Sequence, residues 1–262
     1  MACADGMNAG RLQGKAAIIT GGSGTLGRAM ARAFVREGAR VLLVDLDARA
    51  LGEACRVLGD AASFVAADVT QPTDAARYIR VAEERYGGVD VLVCNAGVEG
   101  VVMDIPDYPL EVYQAVMSVN VTGVFLGLKY GMPALTRRGG GSVVIMSSNS
   151  GLRGANGVSA YVASKHAVVG LMRVATLEGA PHKIRVNTVN PSPIEGRMMQ
   201  SLEEGFAPGA ADQVRQDIIA SIPAGRYGTP EEVANLVLFL ASDESSYCSG
   251  GVYVIDGGRT AK

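Results

Sequence analysis

The sequence predicts an α/β fold: a doubly wound parallel sheet of seven strands with helices on both faces. Three observations predict it. Short β-branched apolar runs alternate with helical stretches from one end of the chain to the other. Several runs are continuously apolar, as in parallel strands buried on both faces. Connections are short and the helical stretches stop at glycines, as when each helix crosses back to begin the next strand.

In chain order, the strand candidates are residues 16–19, 41–44, 63–66, 89–94, 142–146, 184–190 and 252–255. Between them, helical periodicity runs over 26–37, stopping at Gly38, and over 48–58, stopping at Gly59. A third helix, 74–86, follows Pro72 and stops at Gly87; residues 110–135, 160–178 and 230–241 complete the set. No linker, repeat or low-complexity tract divides the chain. After an N-terminal segment, 1–11, one domain is expected over 12–262. The long irregular stretch is 192–228, rich in Gly and Pro, with a short helical pattern at 211–220. Such a segment late in a compact α/β domain is a candidate substrate lid, expected to be weakly ordered without ligand.

Composition narrows the function classes. With 48% hydrophobic and 19% charged residues, the chain of 262 residues reads as globular. The net charge is −2 with no long basic run, which argues against nucleic acid or an anionic membrane surface as partner. The longest uncharged stretch, 112–128, carries Gln114, Ser118, Asn120 and Thr122 and reads as a core helix, not a span. Residues 1–13 include Asp5 and Arg11 without an apolar core, so no secretory signal is expected and a cytoplasmic location is. Cys3, Cys55, Cys94 and Cys248 show no CxxC spacing, and His166 and His182 are the two histidines, so no metal is expected.

Chemistry enters at the first turn. Gly22-x-Gly24-x-x-Gly27 follows a strand, opens a helix and begins a strand–helix–strand unit. The glycines let the backbone approach a pyrophosphate, and the helix N-terminus offers free N–H groups and a positive dipole end. Asp45 ends the second strand, where a carboxylate accepts from ribose hydroxyls and repels a 2′-phosphate, favouring NAD over NADP. Further on, Tyr161 and Lys165 stand at i and i+4 on one helix face. A cation beside a phenol stabilises the phenolate, fitting the tyrosine for acid–base work nearer neutral pH. Ser148 ends the fifth strand, at the sheet edge where ligands bind, and its hydroxyl suits a carbonyl oxygen gaining charge.

Together these residues resemble the short-chain dehydrogenase/reductase family at its ordinary length, over nearly the whole chain. The resemblance also takes in Asp68-Val69, Asn95-Ala96-Gly97, Asn120 and Ile255-Asp256-Gly257-Gly258. It implies a Rossmann-type domain and hydride transfer between NAD(H) and a secondary alcohol or ketone. Tyr161 would be the proton donor/acceptor, and Ser148 would orient the substrate oxygen. Lys165 would lower the tyrosine pKa and hold the nicotinamide ribose. Asn120 would position a relay water through a local helix distortion. The dinucleotide would lie against Gly21, Ser23, Gly24, Thr25, Leu26, Gly27, Asp45, Leu46, Asp68, Val69, Asn95, Ala96, Gly97, Tyr161, Lys165, Pro191 and Ile194.

Two departures from the family pattern stand out. The usual TGxxxGxG has glycine where this chain has Thr25, and the usual threonine of PG-P-x-x-T is Gly196 here. An altered pyrophosphate turn follows from the first, and weaker cofactor affinity or lid ordering from the second. An NADPH-linked reductase of acyl-carrier-bound 3-oxo thioesters is the alternative, opposed by Asp45. A non-catalytic dinucleotide-binding regulator is a further alternative, opposed by Ser148, Tyr161 and Lys165.

The substrate pocket is expected to draw on Asn149, Ser150, Leu152, Arg153, Ser192, Met198, Met199 and the loop 98–103. Methionines and a leucine suit an apolar or cyclic ketone; Arg153 or Arg197 could meet an anionic group. Helices 110–135 and 160–178 are apolar on more than one face. Val116, Val119, Phe125 and Leu128 are assigned to the sheet; Val112, Met117, Val121 and Val124 are left for a partner. A homo-oligomer, a dimer or two-fold symmetric tetramer, is therefore expected.

Overall fold

The computed structural model describes residues 10–261. Cys3 and most of the N-terminal segment lie outside the described residues. Seven parallel strands form one sheet in the order β3-β2-β1-β4-β5-β6-β7. They are β1 Ala16–Thr20, β2 Arg40–Asp45, β3 Ala62–Ala66, β4 Val91–Cys94, β5 Gly141–Met146, β6 Ile184–Pro191 and β7 Val252–Ile255. Each expected strand is present, within two residues at its ends. The order reverses between β1 and β4, so the chain leaves their carboxyl ends in opposite directions and opens a crevice there.

Alternation along each strand splits the core into two layers. Ile18, Leu42, Leu92, Val143 and Val186 pack on one face with α3 Pro72–Tyr86, α5 Gly123–Arg138 and α6 Ser159–Gly179. Ile19, Leu43, Val93, Val144 and Val189 pack on the other with α1 Thr25–Arg36, α2 Ala48–Leu58 and α9 Pro230–Ala241. All ten strand residues are buried, which explains why several strands read as unbroken apolar runs.

Two helical expectations change. The stretch expected as one helix is α4 Leu110–Met117, a π turn Ser118–Thr122 and α5 Gly123–Arg138. The π turn adds a residue to the helical repeat and rotates α5 relative to α4. Phe125, expected on the sheet, is therefore 47% exposed, while Val124 is buried at 4%. Within 192–228 the expected helix α8 Ala211–Ala220 is joined by α7 Arg197–Phe206, which the sequence reading missed. Its apolar spacing, Met198, Met199, Leu202 and Phe206, was the available signal, obscured by the surrounding glycines and prolines. Arg215 of α8 ties the segment together, bonding Glu195 at 2.6 Å and reaching Glu203 of α7 at 3.6 Å.

Candidate active site

The carboxyl ends of β1, β2, β4, β5 and β6, with α7 and α8 above them, enclose a cavity of about 970 Å³. At one end lies the glycine turn. Gly21 has φ 65°, and a Cβ there would sit 2.7 Å from the Asn95 side chain. A Cβ on Gly27 would collide with the Gly21 carbonyl. Gly27 therefore does not line the cavity; it is the packing glycine that lets α1 close on the turn. The first turn of α1 has neither a capping side chain nor an acid, whereas Asp47 caps α2 and Thr229 caps α9. Free N–H groups at a helix start that faces a cavity fit a pyrophosphate.

Asp45 closes this end. Its Oδ2 accepts from Ser23 N at 3.0 Å and Ser23 Oγ at 2.6 Å, and its Oδ1 accepts from Leu46 N at 2.8 Å. Asp47, not Asp45, caps the following helix. Asn95 braces the crevice by donating Nδ2 to the carbonyls of Thr20 and Gly21 at 2.9 and 3.2 Å. Asp68 takes Thr70 N and Oγ1 into a local turn and lines the cavity with Val69. Ala96, Gly97, Pro191 and Ile194 line it as expected.

At the centre, Ser148, Tyr161 and Lys165 come together. The Ser148 hydroxyl neighbours the Tyr161 phenol and favours its charged form. The Ser148 hydroxyl is set by Ser150 N, which donates to it at 3.1 Å, and the Ser148 carbonyl by Asn190 Nδ2 at 2.8 Å. Lys165 Nζ lies 5.4 Å from the Tyr161 ring centroid and donates to the Met146 carbonyl at 2.8 Å. Burial pushes the Lys165 ammonium down to about 8. Burial also drives the Tyr161 phenol up to about 12; the neighbouring Ser148 hydroxyl opposes this and the Glu99 carboxylate adds to it. The ammonium sits over the ring and spends a proton on a carbonyl, so desolvation dominates.

Asn120 sits in the π turn, where a helix distortion was expected, yet it is buried and does not line the cavity. Its Oδ1 accepts from Val98 N at 2.8 Å; its Nδ2 donates to Val98 O at 2.9 Å and Ser164 Oγ at 3.0 Å. The amide thus ties the loop after β4 to α6.

The outer pocket departs from expectation in two places. Leu152 does not line the cavity and is 41% exposed, because the one-turn helix Asn149–Gly151 swings it outward and leaves Asn149, Ser150 and Arg153 on the wall. In the loop 98–103, only Val98 lines the cavity; Met103 pairs with Val158 instead. Ser192, Met198 and Met199 line it as expected, joined by Leu202, Phe206, Val214, Ile218 and Arg259. Sequence reading missed Glu99, 6% exposed and bonded to Arg197 at 3.2 Å. Among the described residues, no group of three His, Cys, Asp or Glu could hold a metal.

Comparison with known proteins agrees with this geometry. A family model described as "Enoyl-(Acyl carrier protein) reductase" matches residues 22–260. The chain belongs to the short-chain dehydrogenase/reductase family. The 3-alpha-(or 20-beta)-hydroxysteroid dehydrogenase of Mycobacterium tuberculosis (strain ATCC 25618 / H37Rv) is 40% identical over 96% of this chain and 92% of its own. The crystal structure of levodione reductase superposes with a TM-score of 0.93 at 33% identity, covering 95% of this chain and 99% of that one. That of NAD+-bound xylitol dehydrogenase gives 0.90 at 29% identity, covering 94% and 99%. This short-chain dehydrogenase/reductase is thus an oxidoreductase of alcohols and ketones that binds a nicotinamide dinucleotide. No described helix is long and apolar enough to cross a membrane.

Proposed function

We propose that the protein is an NAD-dependent dehydrogenase/reductase acting on a secondary alcohol or ketone with an apolar, cyclic body. One observation carries this reading: Ser148, Tyr161 and Lys165 meet in a cavity whose other end is an uncapped helix start closed by Asp45. Bound NAD would supply the hydride acceptor, and NADH the donor, against Gly21, Ser23, Gly24, Thr25, Leu26, Asp45, Asp68, Asn95 and Ile194. Ser148 Oγ donates to the substrate oxygen as charge develops there. Tyr161 Oη gives its proton to that oxygen during reduction and takes one from the alcohol during oxidation. With the phenol raised to about 12, it is protonated at neutral pH, the state that reduction needs. Lys165 holds the ribose side of the site, and Asn120 fixes the loop that carries the cavity wall.

The hydroxysteroid dehydrogenase and levodione reductase relatives act, by name, on cyclic compounds, which suits the wall formed by Met199, Leu202, Phe206 and Ile218. The NAD+-bound neighbour and Asp45 both support NAD. Residues 192–228 serve as the lid over this site. Exposed Phe125, Val174 and Leu177 on α5 and α6, the last 77% exposed, support burial of these helices in a two-fold oligomer. A panel of cyclic alcohols and ketones, read by absorbance of the reduced cofactor, tests the reading; no turnover across the panel with either cofactor would refute it.

A further inference from the structure

Four cationic side chains line the cavity: Arg153, Lys165, Arg197 and Arg259. Two are engaged. Lys165 donates to the Met146 carbonyl and Arg197 is paired with Glu99. The guanidiniums of Arg153 and Arg259 have no hydrogen-bond or ion-pair partner among the described residues, and Arg259 Nε is buried without an acceptor. The nearby carboxylates are committed elsewhere. Asp256 accepts from Gly258 N at 2.9 Å and from Thr260 N and Oγ1 at 2.7 and 2.6 Å, so it shapes the turn that carries Arg259. Glu195 is bonded to Arg215, and Asp217 accepts from Gln213. Burial and the neighbouring Arg153 disfavour the charge on Arg259, outweighing the support from Tyr227 and Asp256, so two guanidiniums stand close together with no ion-pair or hydrogen-bond partner among the described residues.

The dinucleotide phosphates do not supply the missing anion. The pyrophosphate belongs at the start of α1, after β1, and a 2′-phosphate would lie beside Asp45, at the end of β2. Arg259 follows β7, five strands from β2 in the sheet order, a lateral distance of roughly 24 Å at the usual strand spacing. The same cavity is lined by the apolar side chains of Leu202, Phe206, Val214 and Ile218.

We propose that Arg153 and Arg259 form an anion subsite, and that the substrate is an apolar ring bearing a carboxylate as well as the reacting carbonyl or hydroxyl. A guanidinium fork matches the planar carboxylate, and the apolar wall takes the ring. This deepens the dehydrogenase reading and rests on it for the reacting group.

Two paired probes test it. Turnover compares 4-oxocyclohexanecarboxylate with its carboxamide, using NADH. Calorimetric titration of the NAD+-bound enzyme compares cyclohexanecarboxylate with cyclohexanecarboxamide, neither of which can react. A charge-assisted hydrogen bond is worth enough that the carboxylate should be favoured about tenfold or more in kcat/KM and in Kd. Arg259→Gln should bring both ratios close to one, and Arg153→Gln should lower them. Equal handling of acid and amide by the native enzyme, failure to bind either, or a preference that survives both substitutions overturns the subsite. Turnover without preference sinks the subsite and leaves the dehydrogenase reading standing. Preferential binding without turnover does the reverse.

Discussion

Asp45 is the residue on which cofactor choice turns. A 2′-phosphate would bring a second negative charge within about 5 Å of its carboxylate, a repulsion between about 1 and about 3 kcal/mol per unit charge, depending on local screening. Asp45 is half-buried at the cavity mouth, so the lower part of that range applies: about 2 kcal/mol in total, or roughly thirtyfold. The structure adds a complication. Asp45 Oδ2 also accepts from Ser23 N and Oγ, so the carboxylate shapes the pyrophosphate turn as well as facing the ribose. Asp45→Asn removes the charge but keeps an acceptor for Ser23; Asp45→Ala removes both. NADP turnover should therefore rise by about tenfold or more in Asp45→Asn, with a smaller loss for NAD. Asp45→Ala should lose about tenfold with NAD, because two Ser23 donors are left unpaired. Initial rates with each cofactor, separated into kcat and KM, read this directly. Equal kcat/KM for the two cofactors in the native enzyme, or no gain for NADP in either variant, would refute the reasoning.

Other expectations arise from the centre of the site and from its surroundings. Tyr161→Phe should lose about a hundredfold or more in kcat, the usual worth of positioned acid–base catalysis, while NAD binding by fluorescence titration persists; a variant with most of its activity would misplace the site. Glu99 raises the Tyr161 pKa, so Glu99→Gln should lower it. Alcohol oxidation needs the phenolate and rises with pH, so in this variant the rise should move to lower pH; an unmoved pH–rate profile counts against the coupling. The exposed apolar residues Phe125, Val174 and Leu177 should be covered by a second copy, giving a light-scattering mass of at least twice 27.1 kDa. A stable single-chain mass would rule this out.

Much of this was legible in the sequence because the signals are backbone requirements. A parallel strand buried on both faces must be largely apolar, so the central strands β1, β4 and β5 appear as runs. The glycine turn needs positions without a Cβ, and Gly21 and Gly27 would each clash if given one. Tyr161 and Lys165 share a face because helical spacing places them there. Less legible was whatever depends on how elements meet. The π turn at Ser118–Thr122 leaves no composition mark, so Phe125 and Val124 exchange the faces expected of them while Leu128 keeps its own. Within the loop 98–103 nothing in the sequence singles out Glu99; only the fold buries it and pairs it with Arg197. Burial likewise raises the Tyr161 phenol, and spacing tells of the neighbouring cation but not of the water removed.

The two departures from the family pattern illustrate the same limit. Thr25 and Gly196 lie far apart in the sequence and read as separate defects, one in the pyrophosphate turn and one in the lid. In the fold they are neighbours. A Cβ on Gly196 would lie 3.2 Å from Thr25 Oγ1 and 3.5 Å from Thr25 Cβ and Cγ2. Gly196 also has φ 153°, a conformation side chains rarely adopt. A threonine at 196 would therefore need both a backbone change and room that Thr25 occupies. Conversely, a glycine at 25 would leave the start of the lid facing an empty space above the turn. With Thr25 present, the small residue belongs at 196, and the hydroxyl at this junction comes from the glycine turn. Thr25 and Gly196 thus share one junction across the crevice, a relation visible only once β1 and β6 have been brought into one sheet.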